Sequence, residues 1–317
     1  MSLHTIPPRG KDAHEGNRVA VLNNAALPEG LTLGESRGGY RIVKKIAVGG
    51  SSIVYLAHDE RQRAVAIKEY LPAALTQRSP GQLAPVVMPG QLDVYRLGMQ
   101  HFIDEGKALA AIVHPNVVRV RDVFADHDTV YLVTEFLHGR SLQEHIALRR
   151  RQGDKPLVSE PALRDLFAQV MDALREVHTH RLLHLDLKPA NIYLRPDGTP
   201  VLLDFGAARQ ILQADLTRMQ TMYTPGFAAP EMYTRQGLGP WTDIYGIGAA
   251  IFTCMVGVPP QSAVERKRDD RMDMYYRELG KLYSAELVAL VRDCLMLDPL
   301  ARPQSVYALQ KLIRQVA

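Results

Sequence analysis

The feature that most constrains this chain is a change of hydrophobic period along its length. From Tyr40 the runs YRIVKKI, IVYLA and AVAIKEY are β-prone, separated by a Gly/Ser turn and by the polar HDERQR. Runs of this kind bounded by turn residues read as an antiparallel meander. Residues 93–112 then place Phe102, Leu109 and Ile112 on one face of a helix, two further strand-like runs follow (VVRVRDVF and TVYLVTEF), and from Ser141 onward the patterns are long and helical. The chain therefore reads as α+β, with a small antiparallel-sheet lobe carrying one helix over 39–135 and a larger, mainly helical lobe over 136–317. Residues 1–38, rich in Pro, Gly, Asn and charge, are expected to be loosely ordered, and the Pro/Gly-rich stretch 71–91 to be loop.

Composition narrows the class. With 317 residues and 46% apolar content the chain can bury a large core. Lys and Arg number 38 against 34 Asp and Glu, an excess too small to imply a nucleic-acid partner unless clustered on one face. The short runs Arg149-Arg150-Arg151 and Arg266-Lys267-Arg268 read as solvated faces. Two cysteines, Cys254 and Cys294, lie far apart in apolar runs, which implies no disulfide framework and a reducing, cytoplasmic setting. The N-terminus lacks the apolar segment of a secretory signal. The longest uncharged apolar run, Ile244 to Val258, falls short of the roughly 20 residues a membrane span needs and reads as a buried helix.

Several residues carry chemistry. Gly49 and Gly50 sit between two strands, where backbone amides could close over phosphates, although such a turn is by itself only a hairpin signal. Lys68 ends the alternating run AVAIK on the same side as Ala66, beneath that turn. Glu105 falls on the apolar stripe of the 93–112 helix, where an ionised carboxylate needs a cationic partner. Lys68 and Glu105 are thus expected to pair. In HLDLKPAN, Asp186 and Asn191 are five apart, and VLLDFGAA adds Asp204 after an apolar strand. Phosphoryl transfer asks for a positioned hydroxyl, cations on the phosphates and groups that hold those cations, which two carboxylates and an amide on adjacent loops can supply.

AVAIK, HLDLKPAN, DFG at 204–206 and FAAPE at 227–231, in this order, resemble the eukaryotic-like (Hanks-type) serine/threonine protein kinases of bacteria from about Tyr40 to the C-terminus; KEYLP, TDIYGIG and DPLARP are similar to a bacterial branch. The resemblance implies the bilobal protein-kinase fold, with ATP and Mg²⁺ (or Mn²⁺ in its place) as cofactors. It implies that Lys68 binds the α- and β-phosphates, Asp186 takes the acceptor proton, Lys188 neutralises the γ-phosphate, Thr224 ties Asp186 to Lys188, and Asn191 and Asp204 hold the metal. The nucleotide would be enclosed by Ala47, Val48, Gly49, Gly50, Ser51 and Ser52, by Val54 and Ala66 above the base and Tyr193 below it, and by Thr134 and the hinge Glu135, Phe136 and Leu137. Leu109, Val120, His184 and Phe205 match a packing spine, Asp243 an anchor of the catalytic loop, and Glu231 and Arg302 a buried ion pair. The implied partners are proteins with Ser/Thr acceptors, among them proteins with phosphothreonine-binding domains. Relatives often carry further modules, so this chain is either regulated by partners and its N-terminal extension or is an excised domain.

Two departures stand out. The glycine turn carries Ala47 and Ser52 where the family has glycine, which motivates an alternative reading as a nucleotide-binding pseudokinase. Leu185 replaces an Arg that commonly reads a phosphate on the activation loop. Leu185 makes none of the catalytic contacts, so the expectation is altered regulation with intact chemistry, Thr217 and Thr221 remaining candidate autophosphorylation sites and Arg209 or Arg218 candidate substitute readers.

Overall fold

The structure, a computed structural model, describes residues 24–205, 209–210, 223–234 and 236–314. The first lobe is built from β1 (Thr32–Leu33), β2 (Tyr40–Val48), β3 (Ser52–His58), β4 (Ala64–Tyr70), the short ribbon β5 (Thr76–Gln77) and β6 (Val86–Val87), helix α1 (Leu92–Ala110), β7 (Val120–Asp126) and β8 (Thr129–Glu135). Six of these strands form one antiparallel sheet in the order β1-β2-β3-β4-β8-β7. Alternation along β4 buries Val65, Ile67 and Glu69 on one face and turns Ala66 and Lys68 to the other.

Two expectations change here. Residues 24–38 are not loose: β1 adds to the sheet edge, Leu27 and Leu33 are buried against Tyr55, Phe124 and Tyr131, and the Gly34 amide donates to Asp126 at 3.0 Å. Two buried leucines and a handful of backbone hydrogen bonds anchor a segment whose composition looked disordered. The stretch 71–91 contains the β5–β6 ribbon, tied down by two buried polar residues: Thr76 donates to the Pro72 carbonyl and accepts from Asn24 Nδ2, and Arg78 reaches Glu69 and the carbonyls of Ala25 and Leu83.

Helix α1 packs very close to the sheet. A Cβ on Gly98 would lie 1.9 Å from the Tyr70 hydroxyl, and one on Gly106 would lie 2.7 Å from a Val123 methyl, so neither site accepts a side chain without displacement. That approach carries Glu105, the neighbour of Gly106, to the cleft.

The second lobe contains β9 (Arg140–Ser141), α2 (Leu142–Gln152), α3 (Glu160–Thr179), β10 (Leu182–Leu183), β11 (Ile192–Leu194), β12 (Pro200–Leu202), β13 (Arg209–Gln210), α4 (Pro230–Thr234), α5 (Pro240–Val256), α6 (Ala263–Arg266), α7 (Met272–Leu279), α8 (Ala285–Cys294) and α9 (Val306–Arg314). Ser141 caps α2, with Glu144 returning the hydrogen bond to its backbone. Helix α5 is buried at every position from Thr242 to Met255 and stops at Gly257 in the left-handed region, φ 87°. No helix of the described residues is long and apolar enough to cross a membrane. Cys254 and Cys294 are buried free thiols.

Glu231 and Arg302 form a buried bidentate pair at 2.7 and 3.0 Å, and Arg302 also donates to the carbonyls of Met296, Trp241 and Leu297. The run Arg266-Lys267-Arg268 is not wholly a solvated face: Arg266 is buried, pairs with Asp270 at 2.9 Å and donates to the Leu295 carbonyl at 2.6 Å. A three-letter charge run on a short helix turns only part of itself to water, and the sequence does not say which part.

Candidate active site

The cleft between the lobes gathers the expected residues from five segments. Strand pairing sets Val54 opposite Lys68 and Lys68 opposite Leu132, with Ala66 opposite Thr134, so Val54, Ala66, Lys68 and Thr134 share the cleft face of the sheet. Thr134 and Glu135 end β8, and Glu135 accepts from the Arg119 amide at 3.2 Å and pairs with Arg195 of the second lobe at 3.5 Å. Phe136 packs edge-on to His138, and Leu137 lies against the core. Tyr193 stands on β11, between Ser141 on β9 and Val201 on β12.

Asp186 is held by three side chains. Lys188 Nζ donates to both carboxylate oxygens at 2.9 and 2.7 Å and to Thr224 Oγ1 at 2.9 Å. The Thr224 hydroxyl donates to Asp186 Oδ1 at 3.3 Å, and Asn191 Nδ2 donates to the Asp186 carbonyl and Oδ2 at 2.8 and 2.9 Å. Asp186 stays about a quarter exposed, 26%, so it is oriented without being sealed from an acceptor.

Below this loop Asp243 organises the backbone. Its Oδ1 accepts from the Leu185 amide at 2.8 Å, and its Oδ2 from the His184 amide at 2.9 Å and from His178 at 2.8 Å. These donors hold its carboxyl below the ordinary range although burial pushes the other way. Leu185 sits at φ 60°, a conformation that costs a branched residue energy and that the two amide bonds to Asp243 sustain. Its side chain is buried in the core, 8% exposed, so the position that carries Arg in the family is apolar here. Thr217, Thr221 and Arg218 lie outside the described residues, as does the Arg209 side chain.

His184 is a packing residue. It donates through Nε2 to the Leu203 carbonyl at 3.1 Å, accepts at Nδ1 from the Asp186 amide at 3.3 Å and lies 4.5 Å from the Phe205 ring. Burial lowers its pKa, which agrees with a neutral ring donating from one nitrogen and accepting at the other. Leu109, Val120, His184 and Phe205 are all buried, the three apolar ones in one core cluster.

The Lys68 environment differs from the expectation. Its ammonium pairs directly with Asp204, while Glu105 acts on it through space without an ion pair to it. Burial pulls Lys68 down, but Asp204 and Glu105 outweigh it and the net shift is upward. Burial drives Glu105 well above the usual carboxylate range, and Lys68 only partly offsets this. One ammonium thus faces two carboxylates, and spacing in sequence could not tell which of them it would touch.

The glycine turn resolves the other departure. Ala47 belongs to β2 and pairs with Val54, and Ser52 belongs to β3 and pairs with Tyr70, so both are in extended strand that any residue adopts. Gly49 and Gly50 form the turn itself, and a Cβ on Gly49 would make only ordinary contacts. The altered letters therefore leave the turn intact, and the motive for a pseudokinase reading falls away.

A catalytic-loop aspartate held by a lysine and a threonine is the arrangement the motifs imply, the strand lysine bound to Asp204 is not, and comparison with known proteins decides the family. The model of the protein kinase domain matches residues 40–313. The chain belongs to the protein kinase family. It is 29% identical over 224 residues to a probable serine/threonine-protein kinase PknB of Lactococcus lactis, covering 70% of this chain and 32% of that protein. It is 32% identical over 226 residues to the serine/threonine-protein kinase PkaA of Streptomyces coelicolor, covering 70% of this chain and 39% of that one. The chain thus spans about a third of the length of these relatives. A solved structure described as the PpkA-294 apo form shares the kinase fold at a TM-score of 0.77 and 33% identity, covering 91% of this chain and 99% of that chain.

Proposed function

We propose that the protein transfers the γ-phosphoryl group of ATP to serine or threonine hydroxyls of proteins, itself included. The observation that carries this reading is the grip of Lys188, Thr224 and Asn191 on Asp186. A carboxylate fixed in this way accepts the hydroxyl proton as the oxygen attacks, while Lys188 stands ready to neutralise the transferring phosphoryl. Lys68 orients the α- and β-phosphates. Asp204 and the Asn191 amide oxygen are hard donors suited to Mg²⁺, with Mn²⁺ as a substitute. A metal held by these two residues would supply positive charge to offset that of the phosphates. Lys188 and Thr224 favour Ser/Thr over Tyr acceptors. Proteins with phosphothreonine-binding domains in the cytoplasm of a bacterium are the partners this reading implies.

The test is phosphosite mass spectrometry after incubation with Mg²⁺-ATP and a basic acceptor protein, with Asp186→Asn alongside. Phosphate on Ser or Thr that disappears in the variant is expected; phosphate that persists in Asp186→Asn, or none in the parent, overturns the reading. Because Leu185 is buried and apolar, activity is expected to survive Thr217→Ala combined with Thr221→Ala; its loss in a folded double variant would restore a phosphate-reading switch.

A further inference from the structure

The back of the N-terminal sheet holds a second charge cluster that phosphoryl transfer does not use. Glu69, the residue after Lys68, points away from the cleft, and it and Arg78 are dry, 0% and 1% exposed. Arg78 Nη1 and Nη2 donate to Glu69 Oε1 and Oε2 at 2.5 and 2.8 Å. The Tyr55 hydroxyl donates to Oε2 at 2.8 Å and the Tyr131 hydroxyl to Oε1 at 3.1 Å. Arg78 also donates through Nε to the Ala25 carbonyl at 2.8 Å and through Nη1 to the Leu83 carbonyl at 3.2 Å. The Leu27 amide donates to Tyr55 Oη at 3.1 Å.

Register ties this cluster to the cleft. Val54, Lys68 and Leu132 are cross-strand neighbours on the cleft side. Tyr55, Glu69 and Tyr131 each lie one residue from them on the same three strands, and so face the opposite side of the same patch. The segment that brings in Arg78 also holds the glycine turn: the Leu71 amide donates to the Ser51 carbonyl at 2.8 Å and the Ala73 amide to the Gly50 carbonyl at 3.0 Å. A dry ion pair is a poor device for stability alone, since well-packed apolar residues serve as well. What a bidentate fork supplies is a fixed geometry.

We propose that Arg78 is a positioning residue for the nucleotide: by clamping Glu69 from behind, the segment 71–78 sets the spacing between Lys68 and the Gly49–Ser52 turn. Ala25 and Leu27, which precede the residues matched by the family model, complete the clamp. The proposal rests on the kinase reading above.

The test uses the full chain with Arg78→Lys, which keeps the charge and loses the fork, and with Tyr55→Phe, which removes one hydroxyl. Steady-state kinetics, calorimetric Mg²⁺-ATP affinity and thermal unfolding are measured for each. KM for ATP is expected to rise about five- to twentyfold in Arg78→Lys, less than the roughly hundredfold that a 1 Å misplacement can cost. Tyr55→Phe should act in the same direction with a smaller effect, and KM for the acceptor protein should stay unchanged in both. A lowered melting temperature with unchanged KM and affinity for ATP would overturn the proposal and leave a structural clamp only. Should Arg78→Lys fail to fold, Tyr55→Phe and Tyr131→Phe decide by the same readout. A parent protein that binds ATP but transfers no phosphate would refute the kinase reading alone, since ATP affinity still reports on the clamp.

Discussion

Arg302 and Lys68 are both cations held by carboxylates, and they are held in opposite ways. Arg302 is dry, meets a single carboxylate through two parallel hydrogen bonds, and spends its remaining donors on backbone carbonyls and the face of Tyr245 at 5.0 Å. Lys68 faces two carboxylates, touches Asp204, feels Glu105 at a distance, and lies 5.9 Å from the Phe102 ring. Among the described residues, three carboxylates and two ammoniums gather there once Asp186 and Lys188 are included. One cluster is a closed pair in the dry core; the other groups several ionisable side chains at a partly exposed cleft, where their titration is perturbed.

Substitutions at the two cations should act on different properties of the protein. Lys68→Met should lower phosphoryl transfer about 10²–10³-fold, the usual loss on deleting one group that stabilises developing charge, while the urea midpoint barely moves because its direct partner Asp204 is 45% exposed and water can take the place of the ammonium. A Lys68→Met protein that unfolds would erase the distinction. Arg302→Met should do the reverse, costing about 3–5 kcal/mol by stranding Glu231, as read from the urea midpoint. A stable Arg302→Met protein would show that the balance there is dispensable.

His184 tests the contrast through pH. It is buried and hydrogen-bonded like Arg302, yet sits two residues from Asp186. Its folded pKa is depressed, so below about 6.5 the unfolded chain takes a proton that the folded chain refuses. The stability present at higher pH therefore declines as pH falls through that value. Urea midpoints across this window should fall for the parent and fall less for His184→Gln; equal slopes would show that His184 is not the group responsible. The smallest effect is expected from Ala47→Gly with Ser52→Gly, which should change KM for ATP by less than about threefold, because both residues lie in strands where glycine gives no needed freedom. A large gain in ATP affinity would show that these side chains obstruct the phosphates.

The two-lobe architecture, helix α1, the buried α5 and the candidates Lys68, Asp186, Asn191 and Asp204 were legible in the sequence, because period, turn chemistry and motif spacing are local properties of a chain; Lys188 and Thr224 entered as candidates only through the resemblance to a known family. So did the Glu231–Arg302 pair. What spacing could not decide was which charges meet. Lys68 bonds Asp204 across 136 positions, Arg78 crosses 53 to reach the Ala25 carbonyl, and Arg266 leaves a basic run to become buried. The loose look of residues 24–38 and 71–91 has the same origin: their order comes from a few buried contacts to distant strands, and composition averages such contacts away. Local sequence determined which groups are present; burial, which removes water as their alternative partner, decided which of them pair.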